Sequence, residues 1–364
     1  MMNRLYEAFV RLEQEVDAGR EKIKEDLHLL RPIQILPFYG YGSEIYVYLK
    51  GRVIEKDKKQ DDKQEANSGE QLLSMVRRFG LSAIPHVKVR ASFAGMQQEV
   101  ETNKEGYFEI EFTPDKPIDY QEAGYCMKLE LLERKTGKDE LEAEGRLFVP
   151  EQDARFGIIS DVDDTVMISG MASITGQLKH SLFEDAQERS PFPGIASLLQ
   201  VLKGSNNPLY YVSSSQWSMY SFLVSFMEAQ DIPKGPLFLR DFGDNLEQNH
   251  KHRIKYNQIC GILRTYSNLK FILIGDSGKN DPEVYQQVVQ DYPEQVLCVY
   301  IRDVTDDGRA REVEEICNKV EAMGVDMLLV QNSAKAAEHA FRHGWITLPQ
   351  LQQVQKNQQQ QKEK

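Results

Sequence analysis

The sequence predicts an α/β protein in two parts, an antiparallel β-sandwich-like domain followed by a larger domain built on a parallel sheet. Three observations predict it. Residues 31–150 alternate apolar and polar positions, the period of strands with one buried face. From residue 156 the alternation gives way to continuous apolar runs, the mark of strands buried on both faces. Those runs take turns with helical segments, as parallel strands joined by crossovers require.

Taken in chain order, residues 1–30 form the first element. Leu5, Phe9, Leu12 and Val16 recur at helical spacing with charges between them, an amphipathic helix that packs on the next domain or faces a partner or membrane. Residues 31–150 follow. "EIYVYLKGRVIE", "HVKVRASF", "YFEIEF" and "YCMKLELLE" each alternate, and Phe108, Ile110 and Phe112 share one parity. "NKEG" (103–106) joins two strands and places Gly106 where a hairpin bulge needs positive φ. The charged stretch 57–70 reads as a loop and "QLLSMVRRFG" after it as a short helix. No Asp, His or Cys cluster marks this domain as a seat of chemistry.

Residues 151–350 make the second domain. Its strands are "FGII", "PLYYV", "KFILI", "VLCVYI" and "DMLLV". "SAKAAEHAFRHG" is a helix with Gly344 at its C-cap. Residues 351–364, "LQQVQKNQQQQKEK", are Gln-rich and polar and read as a disordered tail.

Composition narrows the function. The chain has 364 residues, 41% hydrophobic and 27% charged, with a formal net charge of -12. Such an acidic chain lacks the basic surface of a general nucleic-acid binder, and charge alone would not draw it to an anionic membrane. Four dispersed cysteines with no CxxC pair fit a reducing compartment. The N-terminus has no apolar signal segment, and no window approaches the roughly 18 apolar residues of a membrane span. The expectation is a cytoplasmic protein whose membrane contact, if any, is peripheral.

The chemistry gathers at the strand ends, where open α/β sheets place their ligands. "FGIISDVDDTV" ends an apolar strand on Asp161, Asp163 and Asp164. "PLYYV" leads to Ser213, and "KFILI" leads into "GDSGKND" with Asp276 and Asp281. "HKHRIKYNQI" in the preceding helix brings Lys251 and Lys255. Crowded carboxylates repel unless a cation balances them, and hard oxygen donors favour Mg²⁺. An EF-hand calcium loop is excluded, because its sixth and twelfth positions are Val166 and Ala172 rather than Gly and Glu. A carboxylate beside such a cation can attack a bound phosphate, and a second carboxylate two residues on can shuttle the proton. Trp217 reads as core or as the substrate entrance, and Arg240 with Asp241 as an ion pair or a substrate contact.

In order, "DVDDT", the Ser213 strand end, a helical lysine and "GDSGKND" resemble the four motifs of the haloacid dehalogenase superfamily of phosphatases. "SDVDDTV", "YYVSSSQWSMYSFL", "LFLRDFG" and "FILIGDSGKNDPEVY" resemble, more closely, the catalytic domain of actin-patch phosphatidate phosphatases and their bacterial relatives, themselves distantly similar to lipins. The resemblance covers about residues 150–345. It implies a Rossmann-like sheet of haloacid dehalogenase type. It implies Asp161 as nucleophile and Mg²⁺ ligand, and Asp163 as acid/base with its carbonyl on the metal. Ser213 and Lys255 would bind phosphate, with Lys251 one turn away as the alternative lysine. Asp276 would be a further metal ligand, and Thr165 and Asp281 would support the site.

Residues 167–191 and the segment between Ser213 and Lys255 are too short for a large cap, so the site should stay open to a bulky phosphate monoester. Met167, Ile168, Met171, Ile174, Leu178, Leu182 and Phe183 make 167–190 either a lipid-touching lid or a packed flanking helix. The leading expectation is a Mg²⁺-dependent phosphatidate phosphatase. The alternatives are a phosphatase of a soluble ester or phosphoprotein, and a lipid-phosphate-binding module without turnover. No obligate protein partner is expected.

Overall fold

The computed structural model describes residues 32–56, 83–133, 139–162, 194–241, 248–304 and 307–362. The expectations for the N-terminal helix, the 57–70 loop, the helix after it, Asp163, Asp164, Thr165 and the 167–190 segment lie outside these residues. The chain divides into two compact units between Val149 and Pro150.

The first unit holds strands β1 (Ile33–Pro37), β2 (Gly40–Ser43), β3 (Tyr46–Glu55), β4 (Lys88–Phe93), β5 (Met96–Glu101), β6 (Tyr107–Phe112), β7 (Cys126–Leu131) and β8 (Glu142–Phe148). Among the described residues a short helix, α1 (Tyr120–Ala123), interrupts them. The pairing path is β1-β3-β2-β8-β7-β4-β5, with β6 on the second edge of β3. Every pair is antiparallel except β2–β8, which is parallel and joins the two ladders. The alternation explains the packing: Val47, Leu49, Val89, Ala91, Ile110 and Leu129, from both ladders, fill one apolar core. Gly106 takes φ +76 and donates its N–H to the Asn103 carbonyl, the turn that "NKEG" calls for.

The second unit is a six-stranded sheet in which every pairing is parallel. Its strands are β9 (Gly157–Asp161), β10 (Leu209–Gln216), β11 (Leu237–Arg240), β12 (Phe271–Asp276), β13 (Val296–Arg302) and β14 (Asp326–Val330), in the order β11-β10-β9-β12-β13-β14. The chain therefore builds outward one way from β9, then returns and builds the other way from β12. Open α/β sheets place their ligands at such a reversal, here beyond the carboxyl ends of β9 and β12. The connecting helices are α2 (Ile195–Lys203), α3 (Tyr220–Ala229), α4 (Gln248–Thr265), α5 (Asp281–Asp291) and α6 (Asp307–Glu321), and α7 (Ser333–Arg342) follows β14. β9 and β12 are buried at every position, as continuous apolar runs predict.

Two expectations change. The strand carrying Ser213 does not stop there but runs on to Gln216, with a register shift between Val212 and Gln216. Residues 351–362 are helical rather than a disordered tail, within α8 (Leu348–Lys362). Leu351, Val354 and Gln358 are buried at helical spacing and pack α8 onto α2 and α7. The Gln358 side-chain oxygen accepts from the Ala334 N–H at 2.8 Å, and Asn357 donates to Ser197 Oγ at 3.1 Å. Gly194, at φ +86, starts α2 where a Cβ would meet Ser333 and Gln358 at 3.1 and 3.3 Å.

Candidate active site

Strand register brings the separated motifs together. Asp161 ends β9 opposite Val212 of β10, so Ser213 lies one residue beyond it on the neighbouring strand. On the other side Ser160 pairs with Ile274, which sets Asp276 two residues further along β12. Adjacent strands lie about 4.8 Å apart, so the three residues share one sheet edge. Asp161, Ser213 and Asp276 are each fully buried.

Lys255 reaches this edge from the middle of α4. Its Nζ donates to Asp161 Oδ1 at 2.6 Å and to Asp281 Oδ1 at 2.5 Å. Lys255 is itself buried, so the aliphatic stem lies in protein and only the ammonium meets the carboxylates. One ammonium between two carboxylates taken from water offsets part of their desolvation, and losing either side would leave a buried charge uncompensated. Lys251 is in the same helix, but its side chain lies outside the described residues.

Asp281 opens α5 and has two partners. One oxygen takes the Lys255 ammonium, and the other accepts from the Asp276 N–H at 3.2 Å. Asp276 Oδ1 in turn accepts from the Gly278 N–H at 2.7 Å, a tight turn that holds the "DSG" loop. Asp161, Asp276 and Asp281 each offer a carboxylate oxygen within 4.8 Å of the others. Three buried hard-oxygen donors in that span are a donor set a divalent cation of Mg²⁺ type would fit.

Ser213 Oγ accepts from the Ser215 N–H at 2.9 Å, which fixes the chain within the register shift. Trp217 begins a 3₁₀ turn, and its ring stacks on Tyr220 at 6.1 Å. It is buried, which is the core reading.

Several further residues support the site. Arg240, singled out in "LFLRDFG", is fully buried, and its Nε donates to the Ser214 carbonyl at 3.1 Å, which holds the serine loop from the next strand. Arg309, on α6, braces the loop after Asp276. It donates to the carbonyls of Ser277 and Lys279 at 3.2 and 2.8 Å and to Glu283 at 3.0 Å. Hydrogen bonding to Glu283 raises its already high pKa. Tyr285 donates to the Ile274 carbonyl at 2.9 Å, and burial, with the Asp281 charge second, holds its phenol far above the usual range. Gly275 is the least visible. A Cβ there would lie 2.5 Å from Asp281 Oδ2 and 2.8 Å from the Tyr285 ring. Only the "GD" order in "GDSGKND" hinted that a residue without a side chain was needed.

A parallel sheet whose first strand ends on a buried aspartate, tied by a helical lysine to a second aspartate, is the setting for a comparison with known proteins. Residues 156–303 match the family described as the catalytic domain of phosphatidate phosphatase APP1, a phosphatase domain. Phosphatidate phosphatase APP1 of Saccharomyces cerevisiae is 30% identical over 151 residues, covering 40% of this chain and 25% of that protein. An uncharacterized protein of Schizosaccharomyces pombe is 26% identical over 234 residues, covering 61% of this chain and 38% of that protein. The chain thus spans well under half the length of either relative. A carbohydrate acetylesterase structure from Xanthomonas citri aligns with 78% of this chain and 72% of its own at 8% identity, with a TM-score of 0.24, too low to define a shared fold. Among the described residues no helix is long and apolar enough to cross a membrane.

Proposed function

We propose that this protein is a phosphomonoester hydrolase of the phosphatidate phosphatase type, working through an aspartyl-phosphate on Asp161. The observation that carries the reading is the Lys255 ammonium, bonded at once to Asp161 and Asp281 and facing the Asp161–Asp276–Asp281 oxygen set. The similarity of residues 156–303 to the APP1 catalytic domain supports a lipid phosphate as substrate. The strand order and the motif order support a sheet of haloacid dehalogenase type.

In this reading Asp161 attacks phosphorus while Lys255 holds its carboxylate in line and spreads positive charge toward the phosphate. Ser213, on the neighbouring strand, binds a phosphate oxygen. Asp163, two residues beyond the nucleophile, protonates the leaving alkoxide and then takes a proton from the hydrolytic water. Thr165 supports that loop. Asp161 and Asp276, with the Asp163 carbonyl, would hold a Mg²⁺ ion, which would supply neutralising charge for the phosphate. Asp281 keeps Lys255 and the Asp276 backbone in place. A membrane-bound substrate implies peripheral contact of a cytoplasmic protein with the bilayer.

The test measures phosphate release from phosphatidate in vesicles and from an aryl phosphate in solution, with Mg²⁺ and with chelator. Asp161→Asn should lower both rates by about 10³-fold or more, since loss of a nucleophile removes the covalent route. Turnover that survives the substitution would refute the nucleophile. Equal or better activity on soluble esters or phosphopeptides, with no gain from vesicles, would replace the lipid as substrate.

A further inference from the structure

We propose that Asp326, His339 and His343 form a zinc-type metal site at the amino edge of the parallel sheet. Parallel strands make this the edge opposite the candidate active site, because Asp326 is the first residue of β14 whereas Asp161 and Asp276 are the last of β9 and β12. The two histidines stand four apart at the end of α7, so they share one face of the chain. That H-x₃-H spacing is one that zinc ligands use.

The geometry favours a metal over simple pairing. His339 Nε2 lies 3.3 Å and His343 Nε2 lies 3.5 Å from the same oxygen, Asp326 Oδ2. Ordinary N–H···O bonds centre near about 2.9 Å. Tetrahedral bonds of about 2.0–2.1 Å place neighbouring donor atoms about 3.3–3.4 Å apart. All three donor atoms lie within 4.8 Å of one another.

The rings are also held from behind. Tyr300 OH lies 2.9 Å from His339 Nδ1, the support that leaves Nε2 for a metal. Trp345 stacks on the His343 ring at 4.8 Å with an interplanar angle of 29°, brought back by the turn at Gly344, φ +68. Two imidazoles and one carboxylate select a borderline transition metal such as Zn²⁺ over Mg²⁺. Asp326 and His343 are about half exposed, so water can complete the shell. The ion would clamp the start of β14 to the end of α7, a structural role.

The experiment uses the full chain without a histidine tag, stripped with chelator and kept in excess Mg²⁺ so that the carboxylate cluster at the other edge is not the reporter. Zn²⁺ is titrated by calorimetry, Co²⁺ by its visible absorption, and the melting temperature is read with and without Zn²⁺. One equivalent should bind with a tetrahedral Co²⁺ spectrum and raise the melting temperature. His343→Ala and Asp326→Asn, both at half-exposed positions, should each weaken binding at least tenfold and remove the thermal shift. A wild-type chain that binds no Zn²⁺, or variants that bind as tightly as wild type, would overturn the site and leave the triad as long hydrogen bonds only.

Discussion

Gly275 shows how narrowly the candidate site is fitted. The missing Cβ is the space that the Asp281 carboxylate occupies while it holds both Lys255 and the Asp276 N–H. Gly275→Ala should therefore push Asp281 away and loosen the lysine. The expected result is a fall in phosphate release of about 10²-fold, the scale of an ångström misplacement, with the far-UV spectrum unchanged. Activity within twofold of wild type would mean that Asp281 does not need this position. The acidic residues were legible in the sequence because carboxylates that end an apolar run are conspicuous. The roles of Gly275 and Arg309 were not, and Arg240 was singled out but not its bond to the Ser214 carbonyl. They act through backbone carbonyls or by leaving room, and neither relation has a spacing in the chain.

At the scale of elements, continuous apolar runs made the parallel strands readable from 156 onward, because burial on both faces leaves few polar positions. α8 stayed hidden for the opposite reason. Its packing uses few apolar side chains, and Gln358 and Asn357 supply hydrogen bonds that hydropathy does not register. Val354 is fully buried in the middle of the helix. Val354→Asp should cost about 3 kcal/mol or more, since it buries a charge in an apolar contact, and should lower the denaturant midpoint of the second unit. An unchanged midpoint would restore the reading of a loose tail. The β10 bulge was likewise invisible, because a register shift leaves the side-chain types unchanged.

Across the whole molecule the four cysteines are free thiols, with Cys126 exposed and Cys260, Cys298 and Cys317 buried. Burial, with the Glu321 charge second, pushes the Cys317 thiol up to about 11. Burial also raises Cys260, and it carries Cys298 far above its ordinary range. A thiol reagent at pH 8 should modify one cysteine quickly and the other three only after unfolding, as mass spectrometry of the labelled chain would read. Rapid labelling of all four would contradict the packing of both α4 and β13. The linkage has a definite sign for Cys317. Between about 9 and about 11 the folded chain keeps that proton and the unfolded chain loses it, so stability falls as pH rises through that window.

The Lys255 bridge carries a consequence for how the chain is made. Asp161 leaves the ribosome 94 residues ahead of the lysine that neutralises it, and Asp281 follows the lysine by another 26. Until that stretch has been synthesised, the Lys255 ammonium is not there to offset the burial of the Asp161 carboxylate. The bridge at the candidate site is complete only once the start of α5 has followed.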